Sequence, residues 1–317
     1  MNSVTVACVM RSCGWSAASA TRPGTNRRAG RASLRPAALA GLFLLSACAT
    51  VPLEQGGSLS SYQNLAQDDG LITRARVSVV KDDILAASTL RLVPTSFSAA
   101  AIDAKLSEAQ RKLVANAIDR SLCIGLSDRF RILSPAQPAD LTVHAVITHI
   151  VPTDATAAAA SNAISFATTV VTATGVVNAP IPSLRLPIGL GGLALEVEAL
   201  DRAGKQKAAM IWARGATAFA GRPRVSTAGD AYDLAASFGD DLSTLLVKGT
   251  SPFGKLPSLP SLPSQQRLQS LLGGAPKESP CEAFGRSPGV PGLIGGAIGL
   301  PPDWTDKGAP AQVQAAR

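Results

Sequence analysis

Residues Leu193 to Thr217 constrain the fold most. Leu193, Leu195, Val197 and Ala199 alternate with a second set that contains Glu196 and Glu198. This period of two is that of a strand with one face inward, which places the two glutamates on the outer face. Asp201-Arg202-Ala203-Gly204-Lys205 follows, with a glycine available for positive φ. Lys207 to Thr217 then returns, with Met210, Ile211 and Trp212. An antiparallel hairpin results, and a hairpin with one apolar face needs further strands and a covering layer.

The rest of the chain supplies both. Arg74–Val80 alternates, with Ala75, Val77 and Val79 on one side. Thr89–Phe97 reads as a second strand that lies at an edge or ends at Pro94, because proline cannot donate to a ladder. Asp128–Leu133 leads into a short strand, and Leu141–Val151 is a long one. Ser107-Glu108-Ala109-Gln110 matches a capping box, opening a helix to about Leu126 with Leu113, Val114, Ala117, Ile118, Ser121 and Leu122 as its stripe. A second amphipathic helix spans Gly229–Lys248, with Gly249 placed to end it. The expected class is α+β: a mostly antiparallel sheet with helices on one face, over residues 70–250.

The N-terminus has a different character. Arg27, Arg28, Arg31 and Arg35 precede the apolar run Ala37–Leu44, and Leu45-Ser46-Ala47-Cys48 follows. The order basic, apolar, small is that of a secretory signal over residues 1–47. The run is too short to cross a hydrocarbon core of about 30 Å. The small residues before Cys48 resemble the lipobox of bacterial lipoproteins, in which the cysteine takes a diacylglycerol and becomes the new N-terminus. The chain's net charge of +8 falls to +2 once the six arginines of residues 1–47 are set aside. The basic balance is therefore no argument for nucleic acid, which needs a clustered basic face.

Residues 48–69 read as a lipidated tether, flexible at Gly56-Gly57-Ser58, with Leu59, Tyr62 and Leu65 able to dock on the domain. The stretch Gly57-Ser58-Leu59-Ser60-Ser61-Tyr62-Gln63-Asn64-Leu65 resembles the opening of an uncharacterised family of bacterial lipoproteins, which shows Ser-Gly-Phe-Leu-x-Asp-Tyr-x-x-Leu there. Serine stands here in place of the acid, and the phenylalanine is missing. The resemblance runs over roughly residues 57–248. It implies an envelope lipoprotein domain and supplies no catalytic residue.

Few side chains suggest chemistry. Beyond Cys48, only Cys123 and Cys281 remain after the signal, and an oxidising periplasm favours a disulfide between them. The alternative is a buried free Cys123 with Cys281 exposed. No Cys-x-x-Cys occurs. His144 and His149 are the only histidines, and on a regular strand they point to opposite faces, so they share no metal unless a bulge intervenes. Glu196 and Glu198 are expected to be solvated charges. Gly189-Leu190-Gly191-Gly192-Leu193-Ala194 precedes a strand, which is the wrong place for a dinucleotide loop. No cofactor or metal site is expected.

Between Asp154 and Glu196 the only charged residue is Arg185. Ala155–Val177 is expected to be a helix capped by Asp154 and packed on the sheet by small residues, too polar for a transmembrane span. Its lack of charge also suits contact with lipid, an apolar ligand or a partner. Residues 251–317 hold eleven of the 22 prolines and ten of the 28 glycines, so the domain ends near 250 and a Pro/Gly-rich tail follows, disordered or draped over it. Its three Leu-Pro-Ser units, Leu256–Ser264, favour an extended polyproline form.

The functional expectation is a non-enzymatic lipoprotein of the cell envelope. It would be held in the outer membrane through Cys48 and face the periplasm, acting as a binding or assembly domain with an envelope protein as a possible partner. The lipoprotein resemblance implies outer-membrane sorting, because Ala49 and not aspartate follows Cys48. The alternatives are a periplasmic hydrolase and a carrier of lipid or small molecules that uses residues 155–195. Against a hydrolase, no Gly-x-Ser-x-Gly and no metal-ligand spacing occurs.

Overall fold

The expected hairpin is the centre of a sheet. The computed structural model describes residues 50–173, 185, 187–218, 223–254 and 265–309. The signal segment, Cys48, the end of the uncharged helix beyond Ala173 and the Leu-Pro-Ser units lie outside these residues. In chain order the elements are β1 (Ala66–Gln67), β2 (Thr73–Val79), α1 (Lys81–Ala86), β3 (Thr89–Leu92), β4 (Ser96–Phe97), α2 (Ala99–Ile102), α3 (Glu108–Leu126), β5 (Arg131–Leu133) and β6 (Leu141–Val151). Then come α4 (Ala155–Ala173), β7 (Gly192–Asp201), β8 (Gln206–Gly215), α5 (Gly229–Lys248), α6 (Gln265–Leu271), a 3-10 helix (Ser279–Phe284), α7 (Gly289–Ala297) and α8 (Pro302–Thr305).

The fold is α+β, with the strands in the order β1-β2-β8-β7-β6-β3-β5 and β4 also paired to β6. The run from β1 to β6 is antiparallel, whereas β3 is parallel to both β5 and β6. The parallel part is reached by the crossover through α3, the connection that parallel neighbours require. The strand expected over Thr89–Phe97 is broken into two, with Pro94 in the gap, and β3 lies inside the sheet. Gly204 at the β7–β8 turn has φ 75°, the conformation a hairpin of this kind needs.

One sheet face packs on α3 and α5. Val143, Ile147, Leu195, Val197, Met210 and Trp212 meet Val114, Ile118 and Leu122 of α3 and Leu234, Phe238, Leu242 and Leu245 of α5 in one core. Full burial of such a side chain contributes roughly 1.5–3 kcal/mol. Trp212 and Phe238 meet edge to face, with ring centroids 5.5 Å apart. The helices approach closely because glycines face each other's partners. A Cβ on Gly125 would lie 2.2 Å from Ser243 Oγ, and one on Gly239 would lie 2.3 Å from Ser121 Oγ.

The capping box of α3 forms as expected, with Ser107 accepting from Gln110 N and Gln110 from Ser107 N. Its polar side does not face water. Asn116, Asp119 and Arg120 are all buried. Asn116 donates to Phe284 O at 2.7 Å, and Arg120 meets Asp306. Residues 265–309 thus cover the helix layer, with Cys281 joined to Cys123 in a disulfide whose Cα atoms are 5.7 Å apart. Lys277 adds a bond to Ser127 O, an orphan carbonyl at the end of α3.

Candidate functional site

The opposite sheet face is closed by the N-terminal segment, and this corrects the expectation of two solvated glutamates. Glu196 is fully buried and Glu198 is 6% exposed. Residues 50–65 form a strap across them. Glu196 accepts from Gly56 N at 2.7 Å, Ser58 N at 2.9 Å and the Tyr62 hydroxyl at 2.8 Å, and also from the Ser58 hydroxyl. Glu198 accepts from Ser60 N at 2.8 Å, Ser60 Oγ at 2.9 Å and Gln206 Nε2 at 2.9 Å. Buried carboxylates are tolerated when donors fill their lone pairs, and here the strap provides most of them. Burial, and then the adjacent Glu196 carboxylate, hold the Tyr62 hydroxyl above its ordinary pKa, so it remains a donor.

Leu59, Tyr62 and Leu65 do dock, against Ala209 and Ile211 of β8. Gly56-Gly57-Ser58, expected to be flexible, is tied to Glu196 instead. Ser61, which stands where an acid was expected, accepts from Gln63 N at 3.2 Å, the local turn that an aspartate makes equally well.

The histidines are also corrected. The β6–β7 register shifts between Ile147 and His149, so His144 lies opposite Glu198 and His149 opposite Ala194. The bulge puts both on the strap side, since opposed residues share a face. They remain about 13 Å apart along the strand at 3.3 Å per residue. Among the described residues no group of three or more His, Cys, Asp and Glu could hold a metal ion.

The strap begins at one end of the sheet. Val51 is buried beside Ala194 and Ala213, and a Cβ on Gly192 would lie 2.2 Å from Val51 Cγ2, so a side chain there would unseat it. The charge-poor region starts here too. Asp154 caps α4, accepting from Thr156 N and Ala157 N. Arg185, its single charge, is buried and forms two bonds to Asp230. Asp230 also accepts from Gly191 N at 2.7 Å and Thr153 Oγ1 at 3.0 Å. This bidentate pair ties the segment before β7 to the first turn of α5.

The first turns of α4 pack through Ala158 and Ser161. Asn162 donates to Pro223 O at 2.9 Å, and Gly299 fits against the same amide. These contacts join the described start of the helix to the loops at the sheet's end. Its outer side exposes Ile164, and neighbouring loops expose Ile188 and Ile298. None of the described helices is long and apolar enough to cross a membrane.

A separate groove of about 780 Å³ lies at the start of α3, lined by Gln110, Lys112, Asn116, Asp303 and Lys307 among others. Its serine, Ser107, is engaged in the helix cap, and no histidine lines it.

A family model described as "Protein of unknown function (DUF3313)" matches residues 54–242. The chain belongs to this family. The DUF3313 region takes in most of the strap, the sheet and most of α5, so the Glu196 and Glu198 bonds join parts of one family domain. The disulfide instead joins that domain to the segment beyond it, since Cys123 lies inside the match and Cys281 outside. No curated protein matches the chain. Solved structures with some likeness include a PelC dodecamer from Paraburkholderia phytofirmans, at 9% identity and a TM-score of 0.31, covering 56% of this chain and 98% of that one. A point variant of the same PelC gives 10% identity and a TM-score of 0.29, covering 53% and 95%. Likeness at that level transfers neither a partner nor an assembly to this chain.

Proposed function

We propose that this DUF3313 protein is a lipid-anchored lipoprotein of the bacterial cell envelope. It is acylated at Cys48, sits in the outer membrane facing the periplasm, and acts there as a binding or assembly domain. The observation that carries this reading is the strap. The chain is packed into the sheet from Val51, three residues after Cys48, so an acyl anchor at Cys48 would hold the domain itself and not a loose leash. The basic, apolar and small order before Cys48 supports processing at that point. The Cys123–Cys281 bridge supports an oxidising compartment. No catalytic step is assigned, because the buried glutamates are committed to the strap.

The test is Cys48→Ser in the full precursor. The parent should incorporate radiolabelled palmitate and enter the detergent phase on Triton X-114 partitioning; the variant should do neither. A variant that still partitions with membranes as the parent does would overturn the reading.

A further inference from the structure

We infer that the sheet end bearing Val51 rests on the lipid surface, with Ile188, Ile164 and Ile298 immersed among the lipids. This deepens the lipid-anchor reading and rests on it.

Reach comes first. Three residues separate Cys48 from Val51, and a chain spans at most about 3.6 Å per residue, so an acylated Cys48 lies within about 11 Å of Val51. Only the surface around Val51 can then adjoin the membrane.

That surface exposes large apolar side chains. Ile188 is 65% exposed, Ile164 49% and Ile298 53%. Asp154 N donates to Gly189 O, which ties the Ile188 loop to α4. Asn162 of α4 bonds Pro223 O, and Val225 N bonds Gly299 O, which ties α4 to the loop of Ile298. Thr153 N bonds Thr227 O and closes the ring on the end of β6. Beyond Ile298, α7 exposes Val290, Leu293 and Ile294, and residues 287–302 carry no charge.

Three of the charges nearby are held. Arg185 is paired with Asp230, Arg224 with Asp233, and Asp154 caps α4. The opposite end of the sheet carries ion pairs of its own. There Lys207 pairs with Asp83 and Asp201, and Arg202 with Asp140. The two ends are about 30 Å apart along β7, at 3.4 Å per residue. The apolar patch therefore lies under the anchor, with exposed Arg74, opposite Ala213, and half-buried Arg214, opposite Leu193, at the β2–β8 side of the same end. Exposed apolar surface of this kind marks a contact, and the short link to Cys48 selects lipid over a protein partner.

The test uses the lipidated protein, purified from membranes and reconstituted in phosphatidylethanolamine–phosphatidylglycerol vesicles with a fraction of dibrominated lipid. In a Trp304→Phe background, Ile188→Trp or Ile298→Trp reports contact with lipid, and Ala203→Trp in the far hairpin is the control. All replace exposed positions, and melting curves should match the parent. The expected result is at least twofold quenching of the added tryptophan at 188 and 298 and none at 203. Vesicle flotation with no quenching at 188 and 298 overturns the inference while leaving the anchor intact, and a crosslinked dimer through those positions would then assign the patch to a second copy. Failure of the parent to float would overturn the anchor reading and this inference together.

Discussion

Tyr62 donates its hydroxyl to Glu196 across 134 residues of sequence, at 2.8 Å, in the middle of a closed sheet face. The strap is therefore part of the fold. Glu196→Ala should cost about 3 kcal/mol, because it leaves the Gly56, Ser58 and Tyr62 donors unpaired under the strap. Tyr62→Phe removes one donor and should cost about 1 kcal/mol. Urea unfolding measures both. Hydrogen exchange at Gly56 and Ser58 should accelerate in Glu196→Ala far more than in the β7–β8 hairpin; uniform acceleration would mean the strap is not separately held.

The helix pair depends on missing side chains. A Cβ on Gly239 would also lie 2.7 Å from Ser121 Cβ, a backbone-proximal atom that cannot swing away. Gly239→Ala should therefore destabilise the protein by about 1–3 kcal/mol, although alanine favours helix by about 1 kcal/mol. A raised melting temperature would show that the helices separate at little cost.

The disulfide closes a separation of 158 residues. The chain-entropy relation gives roughly 5 kcal/mol for such a loop, an upper figure that native bridges often miss. Cys123→Ser with Cys281→Ser should lower stability by several kcal/mol and expose residues 265–309 to protease first. Under denaturing, non-reducing conditions the chain from Cys48 onward, freed of Cys8 and Cys13, should show no free thiol beyond any at Cys48; two more would exclude the bridge.

Asp241 should make stability depend on mildly acidic pH. Burial pushes its carboxyl up to about 6, against an ordinary 3.8, although Trp212 Nε1 donates to it at 2.8 Å and Arg214 lies near. The folded pKa stands above the unfolded one. Its stabilising contribution is therefore complete below pH 3.8 and lost as pH rises through about 6. Asp241→Asn should flatten the fall in stability between about pH 4 and 6 and abolish a titration near pH 6 in Trp212 emission. An unchanged profile would assign the dependence elsewhere.

Sequence alone determined what is local. The α3 capping box, the limits of β6 and α5, the Gly204 turn and the Gly249 cap at φ 63° follow from neighbours within four residues, so they could be read directly. The charge-free stretch after Asp154 was equally plain. The tertiary structure decided which faces are buried. Glu196 and Glu198 carry the pattern of a solvated edge, and nothing within β7 tells that residues 56–62 return to cover them. Asn116 and Arg120 likewise mark a wet helix face that residues beyond 265 make dry, and Asp119 beside them is taken up by Thr95. One extra residue in β6 turned His149 to the side of His144, because period two admits no slip without changing faces. Periodicity records the polarity of a face, whereas burial depends on what a distant segment brings to it, and only closure of the chain supplies that.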